Sequence, residues 1–252
     1  HLADNALILG QRNAEWCGHG PILEEDLALS NNSLDLIGQA RLLYQHAATL
    51  SPDAHTTEDH LAYFRDVPEF RNYTLVELPH SLALAPTASG DRDYAVTIAR
   101  NFLYSALMVL TWEALSSSKD THLAAIAAKS LKETQYHLRH ARDWLLRMGD
   151  GTDESHARVQ AALTHLMPYT QEFWTSSVQE TAAIESGVGV DTRTLQASWD
   201  AVVDNTLVQA TLKRPSSEGF VTTGKQGVHS EHLGFVLSEM QSLARAHPEA
   251  VW

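Results

Sequence analysis

Between Leu131 and Gly151 the chain reads LKETQYHLRHARDWLLRMGDG, with a carboxylate, Glu133, four residues before an imidazole, His137. Residues at that separation on a helix share a face. The chemistry such a pair could serve is iron binding: di-iron carboxylate bundles use a Glu from each of two helices and a Glu-x-x-His from each of the other two. Here the residue three before His137 is Thr134, so a hydroxyl stands where the ligand carboxylate belongs. His137 and His140 are also spaced to share a ligand, and imidazole suits iron and zinc. The alternative is a hydrogen-bonded interior His137 with a surface His140. Histidine is abundant, with 14 in the chain, and His122 lies about four turns before His137 on the same pattern.

The remaining candidates are sparser. Glu24, Glu25 and Asp26 form an acidic run that reads as a solvated face. Glu113 ends an apolar run, where exposure is the usual outcome. Asp35 is the one acid deep in a long apolar helix; with Gln39 and Arg41 nearby, a salt bridge or hydrogen bond suits it better than a metal. Cys17 and His19 in EWCGHGP are two apart, so regular structure would not bring them face to face. TTGKQGVHSEHLG lacks the spacing of a phosphate-binding P-loop. It does set Lys225, with His229 and His232 following, just before a helix N-terminus, where backbone amides can receive an anion; the alternative is an ordered loop capping that helix.

Helices must position all of these residues. Apolar positions recur at Ile22, Leu23, Leu27, Leu34, Ile37, Leu42 and Leu43, close to a 3.6 period. This predicts a helix from Pro21 to Leu50, started by Pro21 and stopped by Ser51-Pro52. Further helices are predicted to about Glu15, from Asp91 to about Ser117, from about Lys119 to Met148 with Gly149 as C-cap, from Thr152 to about Trp174, from Asp191 to Leu212, and over HSEHLGFVLSEMQSLARAH. The Ser51–Asp91 stretch reads as a long excursion holding a short helix or two. No segment alternates like a half-buried strand. The expected fold is all-α: a four-helix bundle with additional helices, in one domain over residues 1–252.

Composition narrows the function classes. A 44% apolar, 19% charged chain of net charge -13 is an ordinary globular protein. Its acidity argues against non-specific nucleic-acid binding and against docking on anionic membranes. Its one cysteine requires no oxidising compartment. The longest uncharged apolar stretch, NFLYSALMVLTW, is short of the ~20 residues of a membrane span. The start shows no signal-peptide pattern, and a cytoplasmic location is expected.

Three blocks carry a family resemblance: LGQRNAEWCGHGPILEEDLALSNNSLDLIGQARLLYQHA, AAKSLKETQYHLRHARDWLLRMGDGTDES and TTGKQGVHSEHLGFVLSEMQ. Together they resemble the C-subunit (PaaC) family of the multicomponent phenylacetyl-CoA oxygenase, the ring 1,2-epoxidase of aerobic phenylacetate breakdown, from about Leu2 to Trp252. The resemblance implies a ferritin-like fold and a non-catalytic subunit that stabilises a related A subunit, which carries the di-iron centre. It further implies a small B subunit and a reductase in the assembly, with no cofactor in this chain; self-association stays open. Laid on this chain by motif, the catalytic copy's ligand positions fall on Ala6, Leu36, Gln39, Ser105, Thr134 and His137. One imidazole among these residues lacks the anionic oxygens that balance two iron ions. On the same resemblance Lys225, His229 and His232 are candidates for touching the partner or the phosphates of a coenzyme A thioester. The competing reading is an independent metal-dependent oxygenase with a non-standard site around Asp35, Glu133, His137 and His140. A weaker third is a homo-oligomeric protein that binds a small hydrophobic ligand inside the bundle.

Overall fold

The computed structural model describes residues 1–53, 56–84 and 92–250. Among them the regular structure is α- and 3-10-helical, and the only β feature is an isolated bridge between Thr223 and Val228. The all-α expectation holds, consistent with a ferritin-like helical bundle. The chain packs as two compact units, one formed by His1–Leu78 with Thr223–Trp252 and one by Pro79–Thr222.

The first unit is built on α1 (Leu2–Ala14) and α2 (Leu23–Leu50), which run antiparallel: Gly10 lies against Ser33, Leu36 and Ile37, while Asp4 meets Tyr44. Gly10 permits that approach, since a Cβ there would sit 3.1 Å from Ile37 and 3.4 Å from Leu36. Its carbonyl accepts a 2.6 Å hydrogen bond from the Ser33 hydroxyl. Two short helices and a turn between them follow: α3 (Glu58–Tyr63), a 3-10 turn at Val67–Glu69, and α4 (Thr74–Glu77). The chain returns at Thr223 through a 3-10 turn, Gly224–Gln226, and ends in α10 (Glu231–Ala246), which packs on α1, α3 and α4. Ser51, in extended backbone, stops α2 where expected. Within the acidic run Glu25 is buried, contrary to the solvated face expected for it: it sits one turn before buried Leu29 on α2's inward stripe, while Glu24 points to solvent.

In the second unit α5 (Tyr94–Leu115) is the hub, packing on α6 (Thr121–Gly149), α7 (Asp153–Leu166) and α9 (Gln196–Gln209). The expected start at Asp91 lies outside the described residues; Asp93 caps α5 by accepting from the Ala95 amide. This 22-residue helix extends past the apolar stretch singled out above and is long and apolar enough to cross a membrane, but most of it is buried inside the fold. Pro168 ends α7 as regular helix and the chain continues as a 3-10 segment, Met167–Trp174. The sequence pattern does not single out α8 (Val178–Ser186), which carries a capping box from Ser177 and Glu180. Gly149 is not a left-handed cap: it closes α6, and its missing side chain admits the Ala210 carbonyl, which would lie 2.2 Å from a Cβ.

Candidate functional site

Helix α6 buries one stripe: Ile126, Ala127, Ser130, Thr134, His137, Ala141 and Leu145. Thr134 and His137 are one turn apart on it, so the i, i+3 geometry of a Glu-x-x-His is kept while the carboxylate is gone. Glu133 lies off the stripe, 3.5 Å from Lys129 in an i, i+4 ion pair. His140 is half-buried and stacks beside Tyr136. Glu133, His137 and His140 therefore do not converge. Ser105 is buried on α5, Ala6 on α1, and Leu36 and Gln39 on α2, where Asp35 is half-buried. Glu113, Cys17, His19 and His122 are exposed.

The donor chemistry at these positions does not fit a di-iron centre. Such a centre takes four Glu carboxylates and two imidazoles, and these six positions offer one imidazole, two hydroxyls, an amide and two aliphatic groups. Among the described residues no group of three or more His, Cys, Asp or Glu side chains stands close enough to hold a metal ion. The Thr134 and Ser130 hydroxyls are buried without a hydrogen-bond partner. An unpaired buried hydroxyl costs about 1–3 kcal/mol. Thr134→Val should thus leave stability to urea unchanged or raise it, by up to ~1 kcal/mol. A clear loss of stability would mean that the hydroxyl is bonded to an internal water.

The Lys225 loop closes over a buried, densely bonded site in the first unit. Its centre is Glu77, fully buried at the end of α4. One carboxylate oxygen accepts from the Ser230 amide at 2.6 Å; the other accepts from Asn72 Nδ2 and His229 Nδ1, both at 2.8 Å. The opposite ring nitrogen of His229 reaches the Phe70 carbonyl at 3.0 Å. The ring stands between the Glu77 carboxylate and the Phe70 carbonyl and ties α4 to the C-terminal segment. The Glu77 carbonyl accepts from Arg12 Nε and Nη2 at 3.0 and 2.6 Å, and Arg12 also pairs with Glu15 at 2.7 Å.

Two glycines let the loop lie this close. A Cβ at Gly224 would stand 2.4 Å from the Asn72 carbonyl, and Gly227, at φ +86, would meet Pro68 and Arg71 at 2.5 Å. Lys225 is 4% exposed, its ammonium 5.4 Å over the Tyr73 ring, and His232 is buried. The sequence pattern leaves two readings for Lys225, an anion site before a helix N-terminus or an ordered loop leading into that helix. The structure shows the ordered loop: the Lys225 side chain turns inward, and Ser230 stands at the N-cap position of α10 without a side-chain cap bond. The apolar and aromatic wall offered by residues 68–76 explains the inward turn: it covers the lysine stem while the ring faces the charge.

A second buried cluster is not foreseen by the sequence pattern. Asp4 on α1 is 2% exposed; it accepts from the Tyr44 hydroxyl at 2.5 Å, from both Arg65 Nη atoms at 2.5 and 3.3 Å, and from the Arg71 amide at 2.7 Å. Burial pushes this carboxyl up, but the positive charge and hydrogen bonds around it, those of Arg65 and Tyr44 among them, outweigh it and hold the pKa at about 2. Burial, followed by the Asp4 charge, pushes the Tyr44 phenol well above its ordinary value. The one sequence signal is an acid placed inside the apolar run LADNALIL; its partners, 40 to 67 residues away, cannot be read from spacing.

Comparison with known proteins adds to this geometry. A family model described as "Phenylacetic acid catabolic protein" matches residues 1–252. The chain is 44% identical over 251 residues to the C subunit of the 1,2-phenylacetyl-CoA epoxidase of Escherichia coli (strain K12), covering all of this chain and 96% of that protein.

Proposed function

The chain belongs to the phenylacetic acid catabolic protein family, and on that premise we propose that it is the structural, non-catalytic subunit of a multicomponent phenylacetyl-CoA 1,2-epoxidase. It pairs with a related catalytic A subunit that carries the di-iron centre, alongside a small B subunit and a reductase, in the cytoplasm. Both compact units belong to one ferritin-like domain on this reading. The observation that carries it is the donor set: the face that keeps His137 has Thr134 in place of a ligand carboxylate, and Glu133 is turned to Lys129.

The role of this chain is then mechanical. The buried ties around Glu77 and Asp4 fix α1, α4 and the C-terminal segment as a rigid surface for the partner. Lys225, His229 and His232 serve that rigidity from the interior. Iron and oxygen chemistry belongs to the partner, and no step of it is assigned to residues here.

Purification tests the proposal. The chain alone, prepared with added ferrous iron, is expected to hold far less than one iron per chain and to be inactive. Expressed together with the catalytic subunit, it should co-purify and raise that subunit's epoxidase activity and stability. Stoichiometric iron on the isolated chain would overturn the proposal in favour of an independent metal-dependent oxygenase. Failure to capture the catalytic subunit would remove the pairing.

A further inference from the structure

Helix α2 buries one side through Leu29, Leu36 and Leu43, yet it also carries an apolar ridge that none of the described residues covers. Leu23, Leu27 and Leu34 are 71%, 55% and 67% exposed, and Ile22, just before the helix, is 51% exposed. At about 100° per residue the three leucines fall within an arc of about 40°. Gly38 lies on the same line one turn beyond Leu34, and a Cβ there would meet nothing within 4 Å. Its lack of a side chain is therefore not explained by packing within this chain. A ridge of leucines followed by a gap is the pattern that receives a second helix, knob into hole. Ser30 and Asn31 fill the turn between Leu27 and Leu34, so the exposed leucines form a broken ridge, and large side chains grouped on one exposed helix face mark an interaction site.

Charge decides between the occupants. Glu24 and Asp35 lie along one flank of the ridge, while Arg41, one turn beyond Gly38 on the same line, is already turned to Glu58 at 3.3 Å. An antiparallel second copy could oppose Leu27 to Leu34 and set Leu23 over Gly38. The two-fold that does so brings Glu24 of one copy beside Asp35 of the other, twice over, between chains of net charge -13. We propose that the α2 ridge, Leu23, Leu27, Leu34 and the Gly38 gap, docks a long helix of a different chain, one bearing its own apolar ridge with lysine or arginine opposite Glu24 and Asp35. Resting on the function proposed above, that chain is the catalytic subunit.

The test uses the full chain expressed together with the catalytic subunit. Leu27→Glu with Leu34→Glu should weaken capture by more than about tenfold, since both side chains lose their apolar cover. Gly38→Leu should leave the isolated chain's Tm unchanged or higher and still weaken capture, because it fills the gap only in the complex. Glu24→Lys with Asp35→Lys should weaken capture without changing the circular dichroism spectrum. Unchanged capture by all three variants would overturn the ridge as the docking face while leaving the pairing itself intact. A wild-type chain that binds no catalytic subunit would instead strike at the proposed function. A wild-type chain that is a dimer at micromolar concentration, and becomes a monomer on Leu27→Glu, would overturn the choice of occupant.

Discussion

Replacing Glu77 with alanine should destabilise the protein by about 3–5 kcal/mol, since three hydrogen-bonding groups lose their acceptor at about 1–3 kcal/mol each. The carboxylate is the common acceptor for His229, Asn72 and the Ser230 amide, all in a site closed to water. Its removal leaves three donors facing a cavity, one of them an imidazole stripped of its carboxylate. For a chain of this size the loss corresponds to a fall in Tm of the order of 10 °C. Glu77→Gln keeps the volume and one acceptor oxygen, and should fall between the wild type and the alanine variant. Hydrogen exchange gives the local readout: the amides of residues 227–230 should lose protection in Glu77→Ala well before the α5–α6 pair does. If those amides keep their protection, Glu77 is not what holds the segment.

Strong acid should remove the stability that Asp4 contributes. Its folded-state pKa, about 2, lies below the ordinary value of 3.8. A depressed carboxyl contributes stability that is present in full above the unfolded-state value and is lost as pH falls through the folded-state value. The relevant window is therefore from about pH 4 down to about pH 2, and the contribution is about 2 kcal/mol. Asp4→Asn should cost at least that much at pH 7, because Arg65 stays buried without its counter-charge and only one of the two accepting oxygens remains. The gap between wild type and variant, measured by urea titration at successive pH values, should close across that window. A gap that stays constant from pH 6 to pH 2 would show that Asp4 is held by shape rather than charge.

Helices are legible in the sequence wherever a long amphipathic period runs between clear stops. Ser51 ends α2, and Thr152 opens α7, because their chemistry is local. The division of Thr152–Trp174 into α-helix and 3-10 helix turns on Pro168, visible in the sequence but outweighed by the apolar period. The position of Gly149 suggests a cap, whereas its actual constraint is a carbonyl 61 residues away, at Ala210. The same limit governs the site. That Thr134 replaces a carboxylate can be read one letter at a time. The inward turn of Lys225 cannot, because it depends on Tyr73, and the Asp4 cluster depends on Arg65 and Tyr44. Local spacing reports which groups share a helix face, and it is silent about partners supplied by a distant stretch of chain.

The first compact unit draws on both ends of the polypeptide, with Glu77 clasped by His229 and Ser230. As the chain leaves the ribosome, α1 to α4 emerge long before the residues that complete their burial. Pro79–Thr222 can close as a unit in the meantime. The nascent amino-terminal helices must wait, with Arg12 and Glu77 lacking their final cover, until translation has passed Ser230. A stalled product that lacks the segment from Thr223 onward would expose that unfinished surface to chaperones and proteases, so this segment marks for quality control whether the first unit has closed.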